Sequence, residues 1–198
     1  MQVDSYKKRE GFSLIELIIA IAILTIFVGG TALSISLLRS ADTKGLANGI
    51  NNSLTDLKAM TEAHRGPFYL HIYKAGNGYY ACYNSSPTFT DDDKDPDNHE
   101  NIGSEALNVT VSYDGVVTHE VVLDESTPVT LAIQKKDGAY IDVKDSTDTV
   151  ISPVPKYFVV LNGTDRDYQV FLAKNTGLHY IDQVSSEAAS PAPESPAP

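Results

Sequence analysis

Hydrophobic residues follow three successive patterns along this chain. Residues 17–38 carry no formal charge and are mostly apolar, which predicts a helix long enough to cross a bilayer, for which ~20 apolar residues suffice. Leu46, Ile50, Leu54 and Leu57, followed by Met60 or Thr61, then recur every three or four positions. That spacing draws one stripe and predicts an amphipathic continuation lying on a folded domain. Gly45, Asn48, Gly49, Asn51 and Asn52 read as local softness in it, with Gly45-x-x-x-Gly49 as a close helix contact the lesser alternative. Gly66-Pro67 stops the helix, since proline lacks a donor and restricts its predecessor.

Past Pro67 the period falls to two. Residues 68–73 and 79–83 flank Ala75-Gly76-Asn77-Gly78, residues 107–113 and 116–123 flank Asp114-Gly115, and residues 129–134 and 140–143 flank Lys135-Lys136-Asp137-Gly138. Segments 157–161, 168–173 and 178–181 are separated by Asn162-Gly163 and Asn175-Thr176-Gly177. Short alternating runs with turn chemistry at each junction predict an antiparallel β domain. The fold class expected is α+β, a long N-terminal helix, transmembrane and then amphipathic, packed on an antiparallel β-sheet head. The divisions are 1–11, a basic leader; 12–38, the apolar helix; 39–65, its amphipathic continuation; 66–184, the β head; and 185–198, a Ser/Ala/Pro/Glu tail too polar to bury a core.

Charge gives this layout a direction. Lys7, Lys8 and Arg9 precede the apolar run, so the leader stays cytoplasmic and the head goes outward by the positive-inside rule, with Arg39 and Lys44 at the far end narrowing the margin. Lys7, Lys8 and Arg9 against Asp4 and Glu10 give the leader one net positive charge, so of the chain's −11 the remainder carries −12. So acidic a body argues against broad nucleic-acid binding, whose affinity comes from neutralising phosphates. Glu16 is the odd residue, because a carboxylate at the head of an apolar helix is disfavoured and usually has a partner or a role. A secretory signal with a small-residue site near Ala32-Leu33-Ser34, or a plain membrane anchor, would explain the basic and apolar parts. Neither needs Gly11 at the polarity boundary or Glu16 beyond it.

Gly11-Phe12-Ser13-Leu14-Ile15-Glu16, entered from Lys7-Lys8-Arg9 and followed by an apolar helix, resembles the processing site of type IV pilins and of the pseudopilins of type II secretion and competence systems. The resemblance covers residues 7–38. It implies cleavage after Gly11 by a prepilin peptidase and methylation of the new amino terminus at Phe12. It further implies an assembly role for Glu16, which would pair with the Phe12 amine of a neighbouring subunit. The chain would then be a structural subunit and not an enzyme, held as a single-pass protein in the cytoplasmic membrane before joining a cell-surface or periplasmic filament. Its expected partners are the peptidase, other pilin or pseudopilin subunits, the membrane and an assembly platform. Many family members have a helix-bending proline where this chain has Leu33; Gly29-Gly30 is the softer point here.

Other chemistry is sparse. Asp91, Asp93, Asp95 and Asp97 alternate as the oxygens of a calcium loop might, but Ile102 stands where an EF-hand needs glutamate. An acidic solvated loop is the first reading and calcium the second; no other cofactor is expected. His64, His71, His99, His119 and His179 lack ligand spacing, and no nucleophile or phosphate-loop motif appears. Cys82 stands alone, which excludes an intrachain disulfide and suggests a buried small apolar residue. The eleven tyrosines suit strand faces and rims. A membrane-anchored or secreted β-domain binding a surface ligand or carbohydrate is the alternative, and an exported hydrolase a remote third.

Overall fold

The computed structural model describes residues 14–113, 120–161 and 167–184, apart from the side chains of 26–39 and of Glu120. It divides into two compact units, Met1–Leu38 and Arg39–Pro198. Helix α1, Leu14–Ala63, begins in the first unit and ends in the second. Among the described residues no helix is long and apolar enough to cross a membrane. The side chains of the second half of the 17–38 run lie outside the described residues.

In the second unit the strands are β1 (Tyr69–Ala75), β2 (Gly78–Asn84), β3 (Glu100–Ser104), β4 (Asn108–Tyr113), β5 (Glu120–Val122), β6 (Val129–Ile133), β7 (Tyr140–Ile141), β8 (Val143–Lys144), β9 (Val150–Ser152), β10 (Pro155–Leu161), β11 (Asp167–Ala173) and β12 (Leu178–Val184). They form two five-stranded sheets, β3-β2-β1-β6-β7 and β12-β11-β10-β4-β5, and a two-stranded β8-β9 ladder. Every pairing is antiparallel. The sequence pattern pointed to one sheet; the chain builds two because β6 returns to β1 while β10 returns to β4.

One core joins these layers. The stripe residues Leu46, Ile50, Leu54 and Leu57 are fully buried, in one cluster with Leu70, Ile72, Tyr79 and Leu131 of the first sheet and Val109, Val111, Phe158, Val160 and Val170 of the second. Burying each large apolar side chain contributes about 1.5–3 kcal/mol, so this cluster is what holds the helix end to both sheets. Gly49 departs from the softness expected of it: a Cβ there would lie 2.5 Å from the Ile102 backbone oxygen, so glycine is the residue that lets β3 approach the helix. Gly45 has open space instead.

Turn chemistry finishes the frame. Lys135, between β6 and β7, donates from Nζ to the Glu62 and His64 carbonyls at 2.8 and 2.7 Å, satisfying acceptors that the helix end leaves open. Gly177, at φ +63°, backs onto the Gly138 carbonyl, where a side chain would collide. The Tyr140 N–H donates to the Lys174 carbonyl at 2.9 Å, so the turns of the two sheets are tied together. The expected turns at Asp114-Gly115 and Asn162-Gly163 and the 185–198 tail lie outside the described residues. The strands on either side of the first still pair, Thr110 opposite Val122.

Candidate functional site

The processing residues Gly11 and Phe12 lie outside the described residues. Glu16 sits in the first turn of α1, where a negative side chain complements the positive end of the helix dipole. Around it Leu14, Ile15, Leu17, Ile18, Ile19, Ile21, Ile23 and Leu24 are all half exposed or more. A helix apolar on all sides belongs in a lipid or protein interior, not in water. This end of the chain therefore presents a surface made to be covered, with one carboxylate in it.

The loop between β2 and β3 holds Asp91, Asp93, Asp95 and Asp97 and applies most of its carboxylates to its own shape. Asp91 pairs with Lys94 Nζ at 2.6 Å. Asp93 closes a capping box on Thr90, accepting from its N–H at 2.7 Å and its hydroxyl at 2.8 Å, and these bonds hold its carboxyl below the usual range. Asp95 accepts from Asn98 Nδ2 at 2.6 Å and is lowered likewise. Among the described residues no group of three or more His, Cys, Asp or Glu side chains is placed to hold a metal. Asp91, Asp93 and Asp95 thus shape the turn.

Beneath that loop lies a second small core that the sequence reading did not anticipate. Tyr73, Tyr80 and Cys82 are buried together, with Phe89 packed against them. His71 is fully buried and stacks on Phe89 at 4.7 Å. Its Nε2 faces two acceptors, Asn84 Oδ1 at 2.9 Å and the Ser86 carbonyl at 3.2 Å, so this nitrogen carries the proton; Nδ1 accepts from the Thr130 hydroxyl at 2.9 Å. Burial is the largest influence on the ring and lowers its pKa. Burial raises the Cys82 thiol, aided by the charge of Asp93, and so makes it unreactive. Tyr73 donates to His99 Nδ1 at 2.7 Å, and desolvation lifts its hydroxyl to about 12. Strands β1 and β2 carry consecutive buried residues, the pattern of strands covered on both faces.

His179 on β12 links three elements. Thr55 of α1 donates to the Asn51 carbonyl at 3.1 Å and so accepts from His179 Nε2 at 3.1 Å, while Tyr140 of β7 donates to Nδ1 at 2.8 Å. Burial lowers this imidazole too, and nearby Lys58 adds to the shift. Separately, a cleft of about 550 Å³ is lined by Tyr113, Asp142, Lys156, Phe171, Lys174 and Asn175. Lys174 Nζ bonds both Asp142 oxygens at 2.8 Å, and Val154 N donates to Oδ1 at 2.9 Å. The lysine bond lowers the Asp142 carboxyl, assisted by the backbone donor.

A family model matches at the amino-terminal end of the chain. Residues 6–32 carry the prokaryotic N-terminal methylation motif. This is the signature of type IV pilins and pseudopilins. Gly11, Phe12 and Glu16 all fall inside it, and the two sheets fall outside it. No curated protein and no solved structure matches the chain. The motif supports a pilin-like or pseudopilin-like substrate for N-terminal processing, and it covers only the amino-terminal part of the chain.

Proposed function

We propose that this chain is a structural subunit, cleaved after Gly11 by a prepilin peptidase, methylated at Phe12 and assembled by helix packing into a type IV pilus-like or secretion pseudopilus filament. The observation that carries the reading is the methylation motif over residues 6–32, with Glu16 in the first turn of an all-round apolar helix. Before assembly the 17–38 run anchors the chain in the cytoplasmic membrane, leader inside and β domain outside. In the filament the new amine of one subunit meets Glu16 of another, because each charge is costly to bury alone and the costs are offset when the two meet. Four positions separate residues 12 and 16, the spacing of about one turn of an ideal helix, ~5.4 Å, so such a pairing would also set the axial register.

Mass spectrometry of the protein from its host decides the matter. Methyl-Phe12 as the first residue is the expected result; a terminus near Ser34, or a retained Met1, would overturn it.

The cleft between Tyr113 and Phe171 favours one second reading, a membrane-anchored β-domain that binds a carbohydrate. Aromatic faces beside the polar Asp142, Lys174 and Asn175 suit a sugar ring. Glycan-array binding that survives loss of Phe12 methylation would favour it.

A further inference from the structure

The second unit has lysines gathered at one cleft and exposed aspartates on the β2–β3 loop. Lys58 of α1 and Lys135 and Lys136 of the β6–β7 turn line a cleft of about 280 Å³. Lys135 is committed to the helix-end carbonyls. Among the described residues Lys58 and Lys136 have no carboxylate partner. Of the two carboxylates that share the cleft, Asp137 accepts from the Ala139 N–H at 3.1 Å and Glu62 is exposed. Thr61 lines the same cleft, is only 4% exposed, and its buried hydroxyl has no partner. A buried hydroxyl without a partner is costly, and an acceptor in the cleft could satisfy it.

The acidic loop leaves β2 opposite the start of β1, Asn84 facing Tyr69, and its Lys94 is fastened toward the other end of the first sheet. Tyr69 opposite Ala132 sets the β6–β7 turn at the start of β1. At the far end Gly76 N donates to Glu125 Oε1 at 3.2 Å, and Lys94 donates to the Glu125 carbonyl, fastening the loop there. The two ends are separated by the length of β1, roughly 20 Å. Asp92 and Asp97 on that loop are exposed, and among the described residues their side chains take no part in its hydrogen bonds.

We infer that copies of this chain associate head to tail through these two places: Asp92 and Asp97 of one copy enter the Lys58–Lys136 cleft of the next. The body carries a large negative charge, so copies repel at a distance, and a contact between them needs a local patch of opposite sign. The lysine cleft supplies it, and its occupant is a carboxylate. A contact between different surfaces of identical copies leaves one of each unused and extends into a filament where the rotation between copies does not close a ring. The inference rests on the filament reading and names the contact between β domains that such a filament would use.

The test uses the full chain, co-expressed as two differently tagged copies, one bearing Asp97→Cys and the other Lys136→Cys, with Phe12 methylation measured in the same sample. The expected result is a disulfide between unlike copies. It should be reduced roughly fivefold when Lys58→Glu is added to the Lys136→Cys copy, and recovered when Asp92→Lys is added to the other. Absence of that cross-link in methylated, folded protein, cross-linking only between like copies, or indifference to the charge reversals would overturn the contact. So would binding of phosphatidylglycerol vesicles that Lys58→Glu abolishes without any cross-link between copies. An unlike-copy cross-link with Phe12 unmethylated would sustain the contact and sink the filament reading instead.

Discussion

A methyl group at position 49 would sit 2.5 Å from the Ile102 oxygen and 2.9 Å from its Cβ, with backbone on the receiving side that has little room to move. Gly49→Ala should therefore destabilise the protein by about 2–3 kcal/mol, as overpacking does. Gly45→Ala, facing open space, should leave stability unchanged or raise it by up to about 1 kcal/mol through helix propensity; urea melts of the two variants check the contrast. The histidines make the second residue-scale prediction. His71 and His179 are both held below their ordinary value of 6.5, chiefly by burial, although the hydrogen bonds to Asn84 and Ser86 and then Asp93 oppose this at His71 and Gly177's backbone at His179. The unfolded chain then takes up protons before the folded one does, so stability is complete above about pH 6.5 and falls as the pH drops toward the folded values. Asp93, Asp95 and Asp142 are lowered from 3.8, so their contribution persists through that window and is lost only in stronger acid. Thermal melts from pH 7.5 to 4.5 should show declining stability, with a shallower decline in His71→Asn. A flat profile would count against both rings being neutral.

At the scale of the elements, most of the fold could be read where local pattern and packing agree. Leu46, Ile50, Leu54 and Leu57 have the period of a helix with one buried stripe, and all four are fully buried. The alternating runs around Gly76-Asn77 and Asn175-Thr176-Gly177 became β1-β2 and β11-β12. Strand β3 was missed because Glu100-Asn101-Ile102-Gly103-Ser104 holds one buried apolar residue; it pairs because β2 offers it an edge and Leu46 packs against Gly103. The short ladder β8-β9 likewise depends on its surroundings, with Ser152 donating to the Thr130 carbonyl at 2.8 Å. The cluster around His71 escaped notice for a related reason: a histidine's partners come from Thr130, Asn84 and Ser86, which only the register brings together. The stripe gives a direct measurement. Leu54→Ala should cost about 2–5 kcal/mol through lost contacts and a cavity. Leu178→Ala, at 62% exposure on β12, should stay within about 0.5 kcal/mol. Equal losses at the two sites would mean that the helix stripe is not what unites the sheets.

For the whole molecule, the question is why a chain with a well-packed β unit also carries an amino-terminal helix whose described apolar side chains are open to solvent on every side. Such a surface is stable only when lipid or other helices cover it, and covering it forces a decision about Glu16. In lipid the carboxylate lies near the edge, where the penalty is smaller. Among packed helices it has no water, and under the proposed processing the free amine at Phe12 would supply the opposite charge. Removing one member of a buried ion pair leaves the other unpaired and costs about 3–5 kcal/mol, which is more than 100-fold in an association constant at about 1.4 kcal/mol per tenfold. On the proposed function, Glu16→Ala should leave cleavage after Gly11 largely intact yet reduce the filament yield at least 100-fold. Glu16→Asp, which keeps the charge but shortens its reach, should retain part of the yield. Because both variants leave the stripe and the two sheets untouched, their β units should melt as the parent does. Normal filament yield from processed Glu16→Ala would mean that helix packing alone sets the register and that the carboxylate in the apolar helix has another purpose.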